Sequence, residues 1–197
     1  MSSTALRSPT IVDAVIPGSG VLRDSVLVVG GAALTAVCAQ VTIPWQPVPF
    51  TLQTLSVMLC GLSLGVKRGA LSQLVYVSAG IAGVPVFAEG KFGFHIITGA
   101  TGGYLLSYAL VAALLGLLAE RGWTRTVWKT AAAMAIGDGN ILAIGAAWLS
   151  AYIGWKGAIQ HGIAPFLVAE VMKAIVVIVA LPTAWKIAGE RGDGEKG

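Results

Sequence analysis

The sequence predicts an all-α integral membrane protein, a compact bundle of six transmembrane helices with both termini cytoplasmic, and three observations carry that expectation. Of 197 residues, 56% are hydrophobic and only 11% charged, whereas soluble domains carry roughly 25% charged residues. The apolar residues gather into six segments separated by short polar or proline-rich breaks. The basic residues between those segments fall mostly on alternate sides of a six-span chain. A chain of about 150 residues buries only about 70% of its surface, so lipid has to solvate much of what remains.

The segments run over residues 26–43, 48–66, 69–84, 101–119, 127–153 and 164–187. A spanning helix needs about 20 residues, and the second and third segments are short. Joining them into one helix over 52–84 would give a rod of about 50 Å at 1.5 Å per residue, with Lys67 and Arg68 at its centre. Two short helices meeting at that basic turn cost less. With both termini inside, Arg7, Arg23, Lys67, Arg68, Arg121, Arg125, Lys129, Lys186, Arg191 and Lys196 lie cytoplasmic, Lys91 and Lys156 outside, and Lys173 within the last helix. Positive charge retained inside is the expected orientation, and five or seven spans would break the alternation. The division is a tail at 1–24, one membrane domain at 25–187 and a tail at 188–197, placed in the cell membrane. Residues 26–39 resemble a signal-peptide core only weakly, since the rest of the chain is equally apolar.

Several functions are disfavoured. The net charge of +4 is spread between apolar segments and makes no dense patch for nucleic acid. Cys38 and Cys60 sit in apolar runs without a C-x-x-C spacing, so neither a metal site nor a disulfide framework is expected. The run 61–65, GLSLG, matches the G-x-S-x-G nucleophile pattern. Yet Ser63 falls at the cytoplasmic end, while His95 and His161 lie in outer loops across about 30 Å of hydrocarbon. No H-E-x-x-H or phosphate-binding P-loop is present, so neither zinc proteolysis nor autonomous ATP hydrolysis is expected. The chain is read as a binder, not an enzyme, with no cofactor.

Ionisable residues inside a membrane span cost a few kcal/mol each and mark functional sites. Asp138, Glu170 and Lys173 are three such residues. Glu170 and Lys173 are three apart, so they share a helix face. Counting from the outer end, they lie about 9 and 13 Å deep. A lysine there can meet a ligand carboxylate, and a glutamate can accept N–H donors; an ion pair that only holds the bundle is the structural alternative. Gly137-Asp138-Gly139-Asn140 interrupts the fifth segment, and the Asn140 amide suits a cyclic urea or amide. Two outer loops, 42–53 with Pro44, Trp45, Pro47, Pro49 and Phe50, and 84–103 with Phe87, Phe92 and Phe94, suit either caps over a pocket or interfacial anchors. Ala32 and Ala36, four apart, form a small-residue stripe for packing within the bundle or against a partner.

Five stretches then make the chain recognisable: VPFTLQTL at 48–55, GVKRGAL at 65–71, Tyr76, GVPVFA at 83–88 and TGGY at 101–104. Together they resemble the biotin-specific substrate-binding subunits of energy-coupling factor transporters, the BioY family, over about residues 25–187. That resemblance implies an outward pocket closed by the first and third loops, biotin as transported ligand, and coupling to a transmembrane scaffold with two ABC-type ATPases. For such a ligand the chain would offer Asn140 and Glu170 to the ureido ring, Trp45, Phe50, Phe87 and Tyr104 to the apolar body, and Lys173 or loop N–H groups to the carboxylate, with the pairing of polar groups and ligand ends left open. Thr51, Gln53, Tyr76, Gly102 and Gly103 complete the implied binding set. The resemblance also makes Ala32 and Ala36 the scaffold-docking stripe. The chain departs from the family pattern in three places: Glu170 is one methylene longer than the usual aspartate, Ala169 replaces the glycine before it, and Leu142 replaces a frequent tyrosine. Alternatives are a solo biotin facilitator and a subunit for another small vitamin.

Overall fold

The computed structural model describes residues 9–194. Each predicted apolar segment coincides with one helix. In chain order the elements are α1 (Ile11–Val15), α2 (Val21–Gln40), a two-strand hairpin of β1 (Thr42–Ile43) and β2 (Phe50–Thr51), α3 (Gln53–Leu64), α4 (Val66–Ile81), α5 (Phe94–Ile97), α6 (Gly102–Glu120), α7 (Val127–Gly162) and α8 (Phe166–Gly194). Helices α2, α6, α7 and α8 are long and apolar enough to cross a membrane, whereas α3 and α4 have 12 and 16 residues.

Several boundaries differ from expectation: α3 begins only at Gln53, and α8 runs on to Gly194, into the predicted C-terminal tail. The first long helix begins at Val21, and the preceding stretch contains α1, so part of the predicted tail is ordered against the bundle. Helix α7 continues past Ile153 to Gly162, broken by Gly154 at φ 71°. Glycine tolerates that backbone where a side chain would strain it.

The core lies around α6, which packs against α3, α4 and α7. Val111, Ala112, Leu115 and Ala119 are fully buried. Close approach depends on missing side chains: a Cβ on Gly61 would lie 2.7 Å from the Ala112 carbonyl oxygen, and one on Gly116 would lie 2.4 Å from the Val66 nitrogen. Gly65, at φ 84°, makes the break between α3 and α4 just before Lys67 and Arg68. Glu120 from α6 accepts the Val66 N–H at 2.9 Å and so caps α4.

The outside of the bundle is apolar. On α8, Val168, Val171, Met172, Ile175, Val176 and Val179 are exposed, while Phe166, Glu170, Val177 and Leu181 are buried. Helical spacing thus separates an outward apolar face from an inward face carrying the acid. Such a surface is untenable in water and natural in lipid.

At the end where α4 begins, α1 is tied down by charge. Asp13 pairs with Arg23 of α2 at 2.9 Å and Arg68 of α4 at 2.8 Å, and Arg68 also reaches Asp24 at 3.2 Å. Burial pushes the Asp13 carboxyl up, but hydrogen bonds from Arg68, Thr10 and Arg23 outweigh it and hold the group down at about 2. Ile11 and Thr10 are buried beneath the network.

Candidate functional site

At the opposite end, the hairpin and the loop after α4 roof a cavity of about 210 Å³. Trp45, Gln46, Pro47, Val48 and Pro49 contribute from the hairpin, Phe87, Ala88, Glu89, Lys91 and His95 from the second loop, and Thr51, Gln53 and Thr54 from β2 and α3. Tyr104 and Tyr108 of α6, Ile141 and Leu142 of α7, and Phe166, Glu170 and Lys173 of α8 line the inner wall, with further lining from Ile96, Gly99, Ala100, Thr101 and Leu105.

A chain of hydrogen bonds joins the two roofing segments. The Thr51 hydroxyl donates to Gln53 Oε1 at 2.9 Å and accepts the Gln53 N–H at 3.2 Å. Gln53 Nε2 donates to the Tyr76 hydroxyl, which donates to the Val86 carbonyl at 3.2 Å. Tyr76 is buried and meets Phe87 edge-on, with ring centres 5.7 Å apart. Phe87 lies over Gly80, where an added Cβ would come within 2.1 Å of its ring. The second loop is also braced from α7: Trp148 Nε1 donates to Gly99 O at 2.9 Å, and the Tyr152 hydroxyl donates to Thr98 O.

The polar centre comes from α3 and α8. Lys173 Nζ lies 2.8 Å from Glu170 Oε1 and 2.8 Å from Thr54 Oγ1. The Thr54 hydroxyl in turn faces both Glu170 oxygens. Glu170 is 4% exposed and Lys173 has 10% of its side chain exposed, so this pair is shielded from bulk water. An ammonium carries three donors, which leaves one Lys173 N–H for a ligand. Asp138, on α7, lies within electrostatic range of Glu170 and Lys173, and its Oδ1 is buried without a hydrogen-bond partner. Pairing and cavity therefore coexist: the ion pair is satisfied and opens onto ligand space.

The structure sorts the predicted residues. Trp45, Thr51, Gln53, Phe87, Tyr104, Glu170 and Lys173 line the cavity. Phe50 sits behind it, stacked on Phe166 with centroids 4.4 Å apart, and Tyr76 acts from beneath the roof. Gly102 and Gly103 fall outside the lining at points of close packing, where a Cβ would lie 1.8 Å from the Ile97 carbonyl oxygen or 2.2 Å from Trp148 Cβ. Asn140 is outside the lining, and its Nδ2 donates to Ile136 O one turn back at 2.7 Å. Successive helix residues are about 100° apart, so Ile141 and Leu142 face the cavity and Asn140 points aside. Asp138, one turn before Leu142, is the polar residue of that segment set beside Glu170.

The expected docking stripe lies largely within the bundle. Ala32 is 7% exposed and Ala36 half-buried against the core. The small residues exposed on α2 are Gly30 and Ala33, flanked by Val26 and Val37. Residues overlooked at the sequence level are Thr54, Tyr108 and Phe166. Tyr108 lies four after Tyr104 and Phe166 four before Glu170, so helical spacing carried the signal for both.

An apolar helix bundle with a roofed, aromatic cavity and a buried ion pair on its inner wall defines a membrane-embedded binder of a small molecule. The chain belongs to the BioY family, whose model matches residues 7–190. It is 39% identical over 160 residues to the biotin transporter BioY of Thermotoga maritima, covering 81% of this chain and 94% of that protein. It is 37% identical over 147 residues to the probable biotin transporter BioY of Pyrococcus horikoshii, covering 75% of this chain and 86% of that one. Among solved structures, the S-component for biotin from an ECF-type ABC transporter superposes with a TM-score of 0.74 at 23% identity, covering 84% of this chain and 92% of that one. That likeness establishes the fold.

Proposed function

We propose that this chain is a high-affinity biotin-binding subunit for vitamin uptake, acting as a transport component and not as an enzyme. The observation that carries the reading is the Glu170–Thr54–Lys173 cluster on the inner wall of an otherwise aromatic and apolar cavity of about 210 Å³. Biotin needs that combination. Its ureido ring offers N–H donors and a carbonyl acceptor, its thiophane ring and chain need an apolar sleeve, and its carboxylate needs a cation or backbone N–H groups. Glu170 can accept from the ring N–H groups, and the spare Lys173 donor suits an anionic or carbonyl oxygen. Trp45, Phe87, Tyr104 and Phe166 supply the sleeve. Asn140 has no part in this version of the site; Asp138 supports it from α7.

The membrane topology belongs to the same reading. Helices α2, α3, α4, α6, α7 and α8 are the six spans, α3 and α4 being short ones, with both termini cytoplasmic and the cavity opening outward. The cell membrane is the location that such a route requires. A transmembrane scaffold and two ABC-type ATPases are the proposed energising partners, seated on the exposed Val26, Gly30, Ala33 and Val37 face of α2.

Native mass spectrometry of detergent-purified protein is the direct test. A retained ligand with the mass of biotin, displaceable by added biotin, is the expected result. A different retained vitamin, or no measurable biotin binding by titration after stripping, overturns the assignment.

A further inference from the structure

The loop over the cavity contains a tight turn that is not self-sufficient. The Phe87 N–H donates to Lys91 O at 3.0 Å and the Gly90 N–H to Phe87 O at 3.1 Å. Within this turn Glu89 adopts φ 61°, the one non-glycine residue with positive φ among the described residues. A side-chain-bearing residue in that region persists only where its surroundings hold it. Phe87, Ala88, Glu89 and Lys91 all face the cavity from this turn. Its geometry is therefore part of the ligand's enclosure.

The hold is shared by the Glu89–Lys91 ion pair at 2.8 Å, the Tyr76 bond to Val86 O, and the end of another helix. Gln40 is the last residue of α2. One Nε2 N–H is directed at Phe87 O at 3.1 Å and shared with the more distant Val86 O at 3.4 Å, and Oε1 accepts the Gly90 N–H at 3.1 Å. Nε2 also donates to Ala36 O at 3.2 Å, which fixes the amide against its own helix. One carboxamide thus engages three backbone groups of the turn, with donor and acceptor ends used on opposite partners. A Glu would keep the acceptor and lose the donors; an Ala would lose both.

We infer that Gln40 is a positioning residue for ligand retention: its carboxamide clamps the 86–91 turn closed over the cavity, so that the end of α2 and the cavity roof move as one. This deepens the biotin-binding reading and rests on it. Residues 26, 30, 33, 37 and 40 lie along the exposed side of α2. A displacement of that helix is therefore transmitted to the roof through the clamp.

The test compares wild-type protein with Gln40→Ala and Gln40→Glu in nanodiscs, by chase of labelled biotin and by amide hydrogen exchange without ligand. Losing these bonds should speed biotin dissociation about tenfold in Gln40→Ala, with the association rate and the ligand-free thermal midpoint unchanged. Gly90 exchange should accelerate in Gln40→Ala and stay protected in Gln40→Glu, while both variants release biotin faster. A role confined to folding would lower the thermal midpoint and leave dissociation alone, and that result overturns the proposal, as does unchanged dissociation in both variants. Should the wild-type protein bind no biotin, the functional reading falls. Gly90 exchange still decides the clamp, and equal rates in wild type and Gln40→Ala overturn it.

Discussion

The hydroxyl of Thr54 reaches both carboxylate oxygens of Glu170, at 3.1 and 3.0 Å, although 116 positions separate them in the chain. Through this contact α3 and α8 share one polar centre, and Lys173 completes it by donating to both partners. Removing the hydroxyl takes a donor from Glu170 and an acceptor from Lys173. Thr54→Val, equal in shape, is expected to weaken biotin binding about tenfold, the worth of a hydrogen bond to a charged group. Isothermal titration of the variant checks this; wild-type affinity would detach Thr54 from the site.

Lys173 should distinguish the two ends of the ligand. If its free N–H meets the carboxylate, Lys173→Ala loses more affinity for biotin than for biotin amide. Competition titration with the two ligands reads the difference. Equal losses would move Lys173 to the ureido end.

Gly80 makes room for the ring of Phe87. Gly80→Ala drives a methyl group to within 2.1 Å of that ring, so the roof has to lift. Overpacking of this kind costs about 1–3 kcal/mol. Lower thermal stability and weaker biotin binding are expected together, measured by nanoDSF and titration. Loss of neither would show that the Phe87 seat yields without consequence.

The Asp13 network gives the α1 attachment an acid limit. The carboxyl has its folded value at about 2, below the ordinary 3.8. A depressed acid stabilises the fold fully above the ordinary value, and that contribution is lost as pH falls through the folded one. Protection of residues 11–15 in hydrogen exchange should therefore hold at neutral pH and fade between about 4 and 2. Asp13→Asn should show the weakened attachment already at neutral pH and lose the dependence across that window. A wild-type response in the variant would remove Asp13 from the attachment.

Much of this architecture was legible because lipid reverses the usual sorting. Six apolar segments stand out against proline-rich and basic breaks, and the Glu170–Lys173 pair stands out in a run of valines and isoleucines. Helix phase was harder to read. Asn140 looked like the polar ligand of its segment, yet Ile141 and Leu142 take the inward face, and a displacement of two residues is enough to exchange Asn140 for Asp138. Ala32 and Ala36 stand out by size, spacing and family resemblance, whereas burial, which leaves Ala32 only 7% exposed, is not written in the sequence. Gln40 could not be found from sequence, since its partners are backbone groups 46 to 50 residues away.

The brevity of α3 has a further consequence for how a solute passes. Its 12 residues extend about 18 Å at 1.5 Å per residue, against a hydrocarbon slab of about 30 Å. The missing length is occupied by the hairpin and the turn that shelter the ligand chamber. On the proposed topology, with α3 a span and the cavity opening outward, a vitamin resting there would already have descended part of the way through the oily barrier, and the neighbouring lipids would thin around so short a wall. On that same topology the remaining journey to the cytosol would be correspondingly abbreviated, whichever machinery drives it.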